Sequence, residues 1–307
     1  MAPEPAGLPD TALAGRLAEP LATVPFEALA RHWRCLVVTV SATRPADFDD
    51  GPDLAGRIRG AWGHALCALA AAPREDAASR PAAHAVVFGP HGRVAAGLDL
   101  PKPYVLHAAV AHGRLDIRLT LFGFALAWAV EAMQALALAL RRGIALAAGS
   151  RVRVPIDPDA WAVRRLESVP VPAAAGPLLL DFRTPLIVRR GAAMTLDGGS
   201  LFMAMANRVN GLARWQDLRV EDDFRALKAR AAGLEVSFDG QRPRRWVRHS
   251  SRQPGRAIPM AGLVGPVIVG GDVGPLLPLI ALAETCHVGS HTSLGLGRFT
   301  LAGGSSP

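Results

Sequence analysis

Twice along this chain of 307 residues, strand-like and helix-like segments follow one another in the order β-α-β-β-α-β with one added strand, and that order limits the fold more than any other feature. Cys35–Val40 is a β-branched run that reads as the first strand. Leu54 to Ala71 reads as a helix, because Ile58, Trp62, Leu66 and Leu69 recur at helical spacing. Strands are expected at Ala85–Phe88, Tyr104–Ala109 and Leu115–Phe122. A second helix is expected over Ala125–Arg142, ending on the basic pair Arg141-Arg142 before Gly143. A strand near Val152–Ile156 closes the first unit. The second unit opens with a strand at Leu178–Val188 and a helix at Leu201–Trp215, followed by an added helix at Phe224–Ala232. Strands at Leu234–Phe238, Trp246–Ser251 and Leu263–Val269, a helix at Pro275–Thr285 and a strand at Leu296–Leu301 complete it. The expected fold class is therefore α+β, with tandem ferredoxin-like (βαββαβ) domains. The expected divisions are a loose lead-in over 1–30, a first domain over 31–156, a proline-bearing linker over 157–176 and a second domain over 177–302.

Charge points to the partner. The formal net charge is +8 and the pI about 10.7, which favours an acidic partner, nucleic acid first. Residues 151–307 hold 20 Arg/Lys against 13 Asp/Glu, whereas residues 1–150 hold 14 against 13. Only Lys102 and Lys228 are lysines, so arginine carries the basic character. Three cysteines, Cys35, Cys67 and Cys286, form no C-x-x-C pair and fit a reducing compartment. With no basic segment leading into an apolar core at the N-terminus, a cytoplasmic location is expected. Leu119–Leu140 is apolar, but it contains Gly123, Glu131 and Gln134 and begins as a strand, so no membrane span is expected there.

Two stretches carry chemistry. The first is His287-Val288-Gly289-Ser290-His291-Thr292-Ser293-Leu294-Gly295-Leu296-Gly297-Arg298. Its glycines can take positive φ and leave backbone N–H groups uncovered, which makes a concavity for anions. Arg298 adds a fork of donors suited to phosphate. The second is the run 242–256, where six arginines stand with no acid and Trp246 sits among them. Arginine suits phosphate contacts and an aromatic ring suits base stacking. The plain alternative is a solvated basic face with a core tryptophan. Walker, dinucleotide-glycine, G-x-S-x-G and H-E-x-x-H patterns are missing from the sequence.

The series Trp246 … Arg248 … Ser250 … Arg252-Gln253, then Gly262-Leu263-Val264-Gly265, then the 287–298 loop, resembles the C-terminal domain of CRISPR-associated precursor-crRNA processing endoribonucleases of the RAMP superfamily. Upstream, Phe182-Arg183-Thr184-Pro185-Leu186, the helix segment Arg59–Leu66 and the strand Leu119–Gly123 resemble further segments of that family. The sequence also departs from it. Cys67 stands alone where relatives carry a cysteine cluster, His84–Phe88 replaces a Tyr-x-x-Leu-Phe type segment, and Ser290 stands where relatives often carry lysine.

The resemblance implies an enzyme that binds CRISPR repeat RNA and cuts it once without metal or other cofactor. The ribose 2′-OH attacks the adjacent phosphate, leaving a 2′,3′-cyclic phosphate and a 5′-OH. Such chemistry needs a base, an acid and cations for the phosphorane charge. Histidine suits either proton role near neutral pH. The family places its catalytic histidine in or just after the first helix. His64 is thus the first choice, since it shares with Arg57 a face away from the apolar stripe, and His84 is the second. RNA contacts are expected from Arg57, Arg59, Arg244, Arg245, Arg248, Arg252, His287, Gly289, Ser290, His291, Thr292, Gly295, Gly297 and Arg298. A zinc site from Cys286, His287 and His291 is disfavoured, because the glycines do not supply the rigid geometry zinc needs. Two other classes are carried beside the enzyme: a non-catalytic repeat-binding subunit of a CRISPR effector complex, and a basic scaffold whose glycine loop is only a turn.

Overall fold

The computed structural model describes residues 10–46, 48, 51–71, 80–95, 97–146, 150–173, 176–190, 193–195, 197–221, 223–249 and 257–302. The first unit is a four-stranded antiparallel sheet. β1 (Cys35–Thr43) is flanked by β3 (Arg114–Phe122) and β4 (Trp161–Leu166), and β2 (Tyr104–Ala111) lies outside β3. The spatial order β2-β3-β1-β4 is the ferredoxin-like order. Helices α1 (Leu54–Ala70) and α3 (Ala129–Arg142) pack on each other over the sheet. Ile58, Trp62 and Leu66 of α1 are buried, and the Trp62 indole donates to the Ala132 carbonyl at 2.9 Å.

The second unit repeats the plan. β5 (Leu178–Leu186) lies between β8 (Ala257–Gly270) and β9 (Phe299–Ala302), and β6 (Glu235–Ser237) flanks β8. Helices α4 (Gly198–Trp215) and α6 (Leu277–Cys286) pack on each other, and α5 (Phe224–Ala232) is added against α4. β8 is long enough to serve two partners. Its second half sits in the sheet, and its first half pairs with β7 (Arg242–His249) to form an arm. Gly265, at φ +113°, marks the change of partner, where a Cβ would lie 2.6 Å from the Gly240 carbonyl oxygen.

Three expectations change. Residues 83–88 are not a strand but a short helix, α2 (Ala83–Phe88), whose Val86 and Val87 are buried. Four to six apolar residues do not distinguish a strand from a buried helical turn. The strand expected near Val152–Ile156 is only the two-residue Arg151–Val152 pairing with Ile144–Ala145. The fourth place in the first sheet is filled by β4, inside the stretch read as linker. As an edge strand β4 is largely exposed, so its alternation is faint. The described part of the lead-in is folded: in the helix Asp10–Ala18, Leu13 and Leu17 are buried, Arg16 pairs with Asp217, and Arg214 donates to the carbonyls of Leu17 and Ala18. Finally, Gly123–Arg142, the one described helical stretch long and apolar enough to cross a membrane, is a 3-10 turn running into α3, half buried in the protein.

The units share one hydrophobic core. Polar bonds pin the junction. Trp33 donates to Thr285 Oγ1 at 3.0 Å and Trp215 to the Pro101 carbonyl at 3.0 Å. The buried Gln216 amide accepts from the Arg34 backbone N–H at 3.1 Å and donates to the Arg34 carbonyl at 2.9 Å. Truncating it removes the acceptor of the Arg34 N–H, while the Arg34 carbonyl keeps the Gly123 N–H at 3.1 Å. We expect Gln216→Ala to lower stability by about 2 kcal/mol, seen as a lower urea midpoint at unchanged slope.

Candidate nucleic-acid interface

The glycine loop is built by its own strain. After α6 the chain turns through His287 (φ +61°), Gly289 (+85°), His291 (+62°), Gly295 (+82°) and Gly297 (+71°). The Val288 N–H donates to the Gly297 carbonyl at 2.9 Å and closes the loop. Ser290 N–H reaches the Ile187 carbonyl at 2.8 Å, Gly297 N–H the Pro185 carbonyl at 3.0 Å, and Arg298 N–H the Thr184 hydroxyl at 2.8 Å. Many of the N–H groups expected to face an anion are thus used inside the protein. Among the described residues, those of Gly289, His291, Thr292 and Ser293 take no backbone acceptor, and the accessible ones, Gly289, His291 and Ser293, mark the part of the loop suited to an anion.

The buried residues of this stretch shape the loop rather than line it. His287, Thr292, Gly295 and Gly297 are buried. A Cβ on Gly295 would meet the Leu106 carbonyl oxygen at 2.7 Å and Ala55 at 2.8 Å, so this glycine lets the loop lie against the first unit. Burial first, with His107 and Arg298 as close neighbours, holds His287 well below its ordinary pKa, and its Nδ1 has no hydrogen-bond partner among the described residues. Arg298 is turned away from the open loop and donates to His107 Nε2 at 3.3 Å. Its neighbours there include Arg118 and Arg183. Desolvation first, and Arg298 second, drive His107 down to about 3, so it is neutral. Besides the half-buried Arg298, the accessible residues of the loop are Gly289, Ser290, His291 and Ser293.

From the first unit, α1 and α2 bring a second group to this loop. Arg59 donates from Nε to the Tyr104 hydroxyl at 2.8 Å and places its guanidinium 4.7 Å from the centre of the Phe88 ring. His84 stacks on Phe88 with centroids 5.3 Å apart and planes 6° from parallel. The Ser293 side chain also bonds the buried Tyr104 hydroxyl. A continuous series of contacts thus joins His84, Phe88, Arg59, Tyr104 and the loop. Arg248 of β7 is close enough to feel the charge of Arg59, and His291 feels Arg248 and Arg189. Desolvation, then these two cations, lowers the His291 pKa and favours the neutral ring.

The remaining expected residues fall elsewhere. His64 is exposed on α1. It follows Arg59 by five residues, about 140° around a helix of 3.6 residues per turn, and so points away from the Arg59 cluster. Arg57 shares the His64 side of the helix, but it is paired with Asp53 at 3.3 Å and is largely buried. Arg244 and Arg245 are exposed on β7, and Arg252 lies outside the described residues. Burial raises Cys35 to about 12 and Cys286 to about 11, so neither thiol is a nucleophile at neutral pH.

Sequence reading missed Phe88, Tyr104, Ser293 and Arg189. It also missed a cavity of about 790 Å³ bordered by Gly289–Ser293, which Lys102, Arg189, Asn207 and Lys228 also line. Rarity was the available signal: Tyr104 is the only tyrosine, and both lysines of the chain stand at this one cavity.

The described architecture is thus a pair of ferredoxin-like units with a strained glycine turn before the last strand. Residues 180–299 match the family model of the CRISPR-associated endoribonuclease Cas6. The whole chain has the Cas6 fold. It is similar to a solved Cas6 product complex at 18% identity and a TM-score of 0.53, with 88% of this chain and 99% of that chain covered. A Cas6 substrate mimic complex aligns at 17% identity and a TM-score of 0.51, with 88% and 99% covered. Thermus thermophilus Cas6 aligns at 15% identity and a TM-score of 0.51, again with 88% and 99% covered. No curated protein matches the chain in sequence.

Proposed function

We propose that this protein is an endoribonuclease that cuts CRISPR precursor RNA within its repeats by metal-independent attack of a ribose 2′-OH. The observation that carries this reading is the contact series from His84 through Phe88, Arg59 and Tyr104 to Ser293, which joins a proton carrier and a cation to an anion-binding loop. The Cas6 match over the C-terminal unit supports the same reading.

In the proposed reaction the 2′-oxygen forms a bond to phosphorus and the bond to the 5′-oxygen breaks. A base takes the 2′-OH proton and an acid supplies one to the departing 5′-oxygen, so the products are a 2′,3′-cyclic phosphate and a 5′-OH. The N–H groups of Gly289, His291 and Ser293 hold a phosphate near the scissile bond. Arg59 and Arg248, both arginines of this face, offset the charge that grows on the phosphorane. We assign proton transfer to His84, because it stands in the Arg59 cluster; His64 is the alternative.

The test is incubation of a repeat RNA with the protein in EDTA, followed by analysis of the new ends. One cut is expected, leaving a 2′,3′-cyclic phosphate, and a 2′-deoxy substitution at the scissile ribose should block it. A repeat that is bound tightly but left intact would establish instead a non-catalytic repeat-binding subunit.

A further inference from the structure

The arm has a feature that phosphate binding does not use. The β7–β8 register puts Arg244, Trp246 and Arg248 on one face, opposite Gly262, Met260 and Ile258. Between the arm and the short strand pair at Arg189–Arg190 and Ala193–Met194 lies a cavity of about 630 Å³. Its walls are mostly apolar, with Ile187, Met194, Trp246, Val247 and Met260 among them, and Arg189 and Arg245 supply its charge. Among the described residues no acid lines it. Met194 and Val247 are 47% and 46% exposed, although large apolar side chains in this protein are mostly buried. Ile187 and Arg189 also line the cavity at the glycine loop, and the Ile187 carbonyl accepts from Ser290 N–H at 2.8 Å. A strand held at the loop therefore passes straight to this slot.

An apolar wall with an aromatic ring and a wholly cationic rim suits a ligand that is flat and apolar on its faces and tied to a negative charge. A nucleotide has that form. We propose that the slot receives one unpaired nucleobase of the bound RNA, stacked on Trp246 and fenced by Met194 and Val247, with its phosphate at Arg189. The proposal rests on the RNA-binding reading above and adds a position at which the protein grips a base rather than the backbone.

The test uses the full chain and a panel of repeat RNAs, each with a single abasic site. For the wild type, an abasic site at one unpaired position should weaken binding roughly tenfold, the scale of one base–aromatic stack. Trp246→Ala and Met194→Ala should weaken binding of the intact RNA and show no further loss with that abasic RNA, because the shared interaction is already gone. Trp246→Phe should restore the penalty. Arg245→Ala should keep the penalty while the slope of log affinity against log salt becomes shallower by roughly 0.7. If folded Trp246→Ala and Met194→Ala lose as much as the wild type at every abasic position, the slot holds no base and the proposal falls while RNA binding stands. If the wild type does not bind repeat RNA, both readings fall together.

Discussion

Replacing His84 by alanine should slow repeat cleavage roughly 10²–10⁴-fold, the usual contribution of a proton-transfer group, with little change in repeat affinity. The argument is positional. The His84 ring lies parallel to Phe88, and Phe88 carries the Arg59 guanidinium on its way to Tyr104 and Ser293. An imidazole there is held in place by its stacking on Phe88. His64 occupies an exposed position on α1, turned about 140° from Arg59. His64→Ala should therefore cut at close to the wild-type rate. Single-turnover kinetics at saturating enzyme separates chemistry from binding, and thermal melts of both variants show whether the fold is kept. If His64→Ala is the slow variant and His84→Ala the normal one, the catalytic assignment passes to His64 and the reaction stands.

The second large effect is expected at Gly297. This residue sits at φ +71°, and a Cβ there would lie 1.7 Å from the Val288 carbonyl oxygen, with the Val288 N–H already bonded to the Gly297 carbonyl. Neither backbone can yield without opening the loop. Gly297→Ala should cost about 3 kcal/mol, combining left-handed strain with a backbone clash, and should abolish tight RNA binding by releasing Gly289–Ser293. Gly92→Ala is the control. Gly92 has φ +89° with open space where its Cβ would be, so that variant bears only the conformational penalty of roughly 1–2 kcal/mol. Equal stability and equal RNA affinity for the two variants would show that the loop is not held closed by this contact.

Much of the fold was legible because its signals are local. The apolar stripe of α1, the β-branched run of β1 and the basic C-terminus of α3 each follow from residues a few positions apart. The order of those elements, taken twice, leads to tandem ferredoxin-like units. What escaped were short or edge elements. Ala83–Phe88 is too short for periodicity to separate helix from strand, and β4 is too exposed to alternate clearly. The lead-in helix Asp10–Ala18 is held by Asp217 and Arg214, some two hundred residues away, and nothing near it in sequence announces that.

The candidate site divides along the same line. The glycine loop and the arginine run were visible as residue types in sequence, because strain and charge are properties of the residues themselves. Which of those residues reach solvent was decided by tertiary contacts. Gly295 and Gly297 are consumed in packing against Leu106 and Val288, Arg57 is neutralised by Asp53, and Arg298 turns to His107. The cluster of Arg59, His84, Tyr104 and Ser293 draws on four separate elements; the folding of the first unit brings the first three together, and the packing of the two units adds Ser293. Sequence by itself thus determined the units, the loop and the sign of the chain's own charge. The tertiary structure alone decided which histidine stands beside the cation, because residues distant along the chain meet only when their shared core is buried.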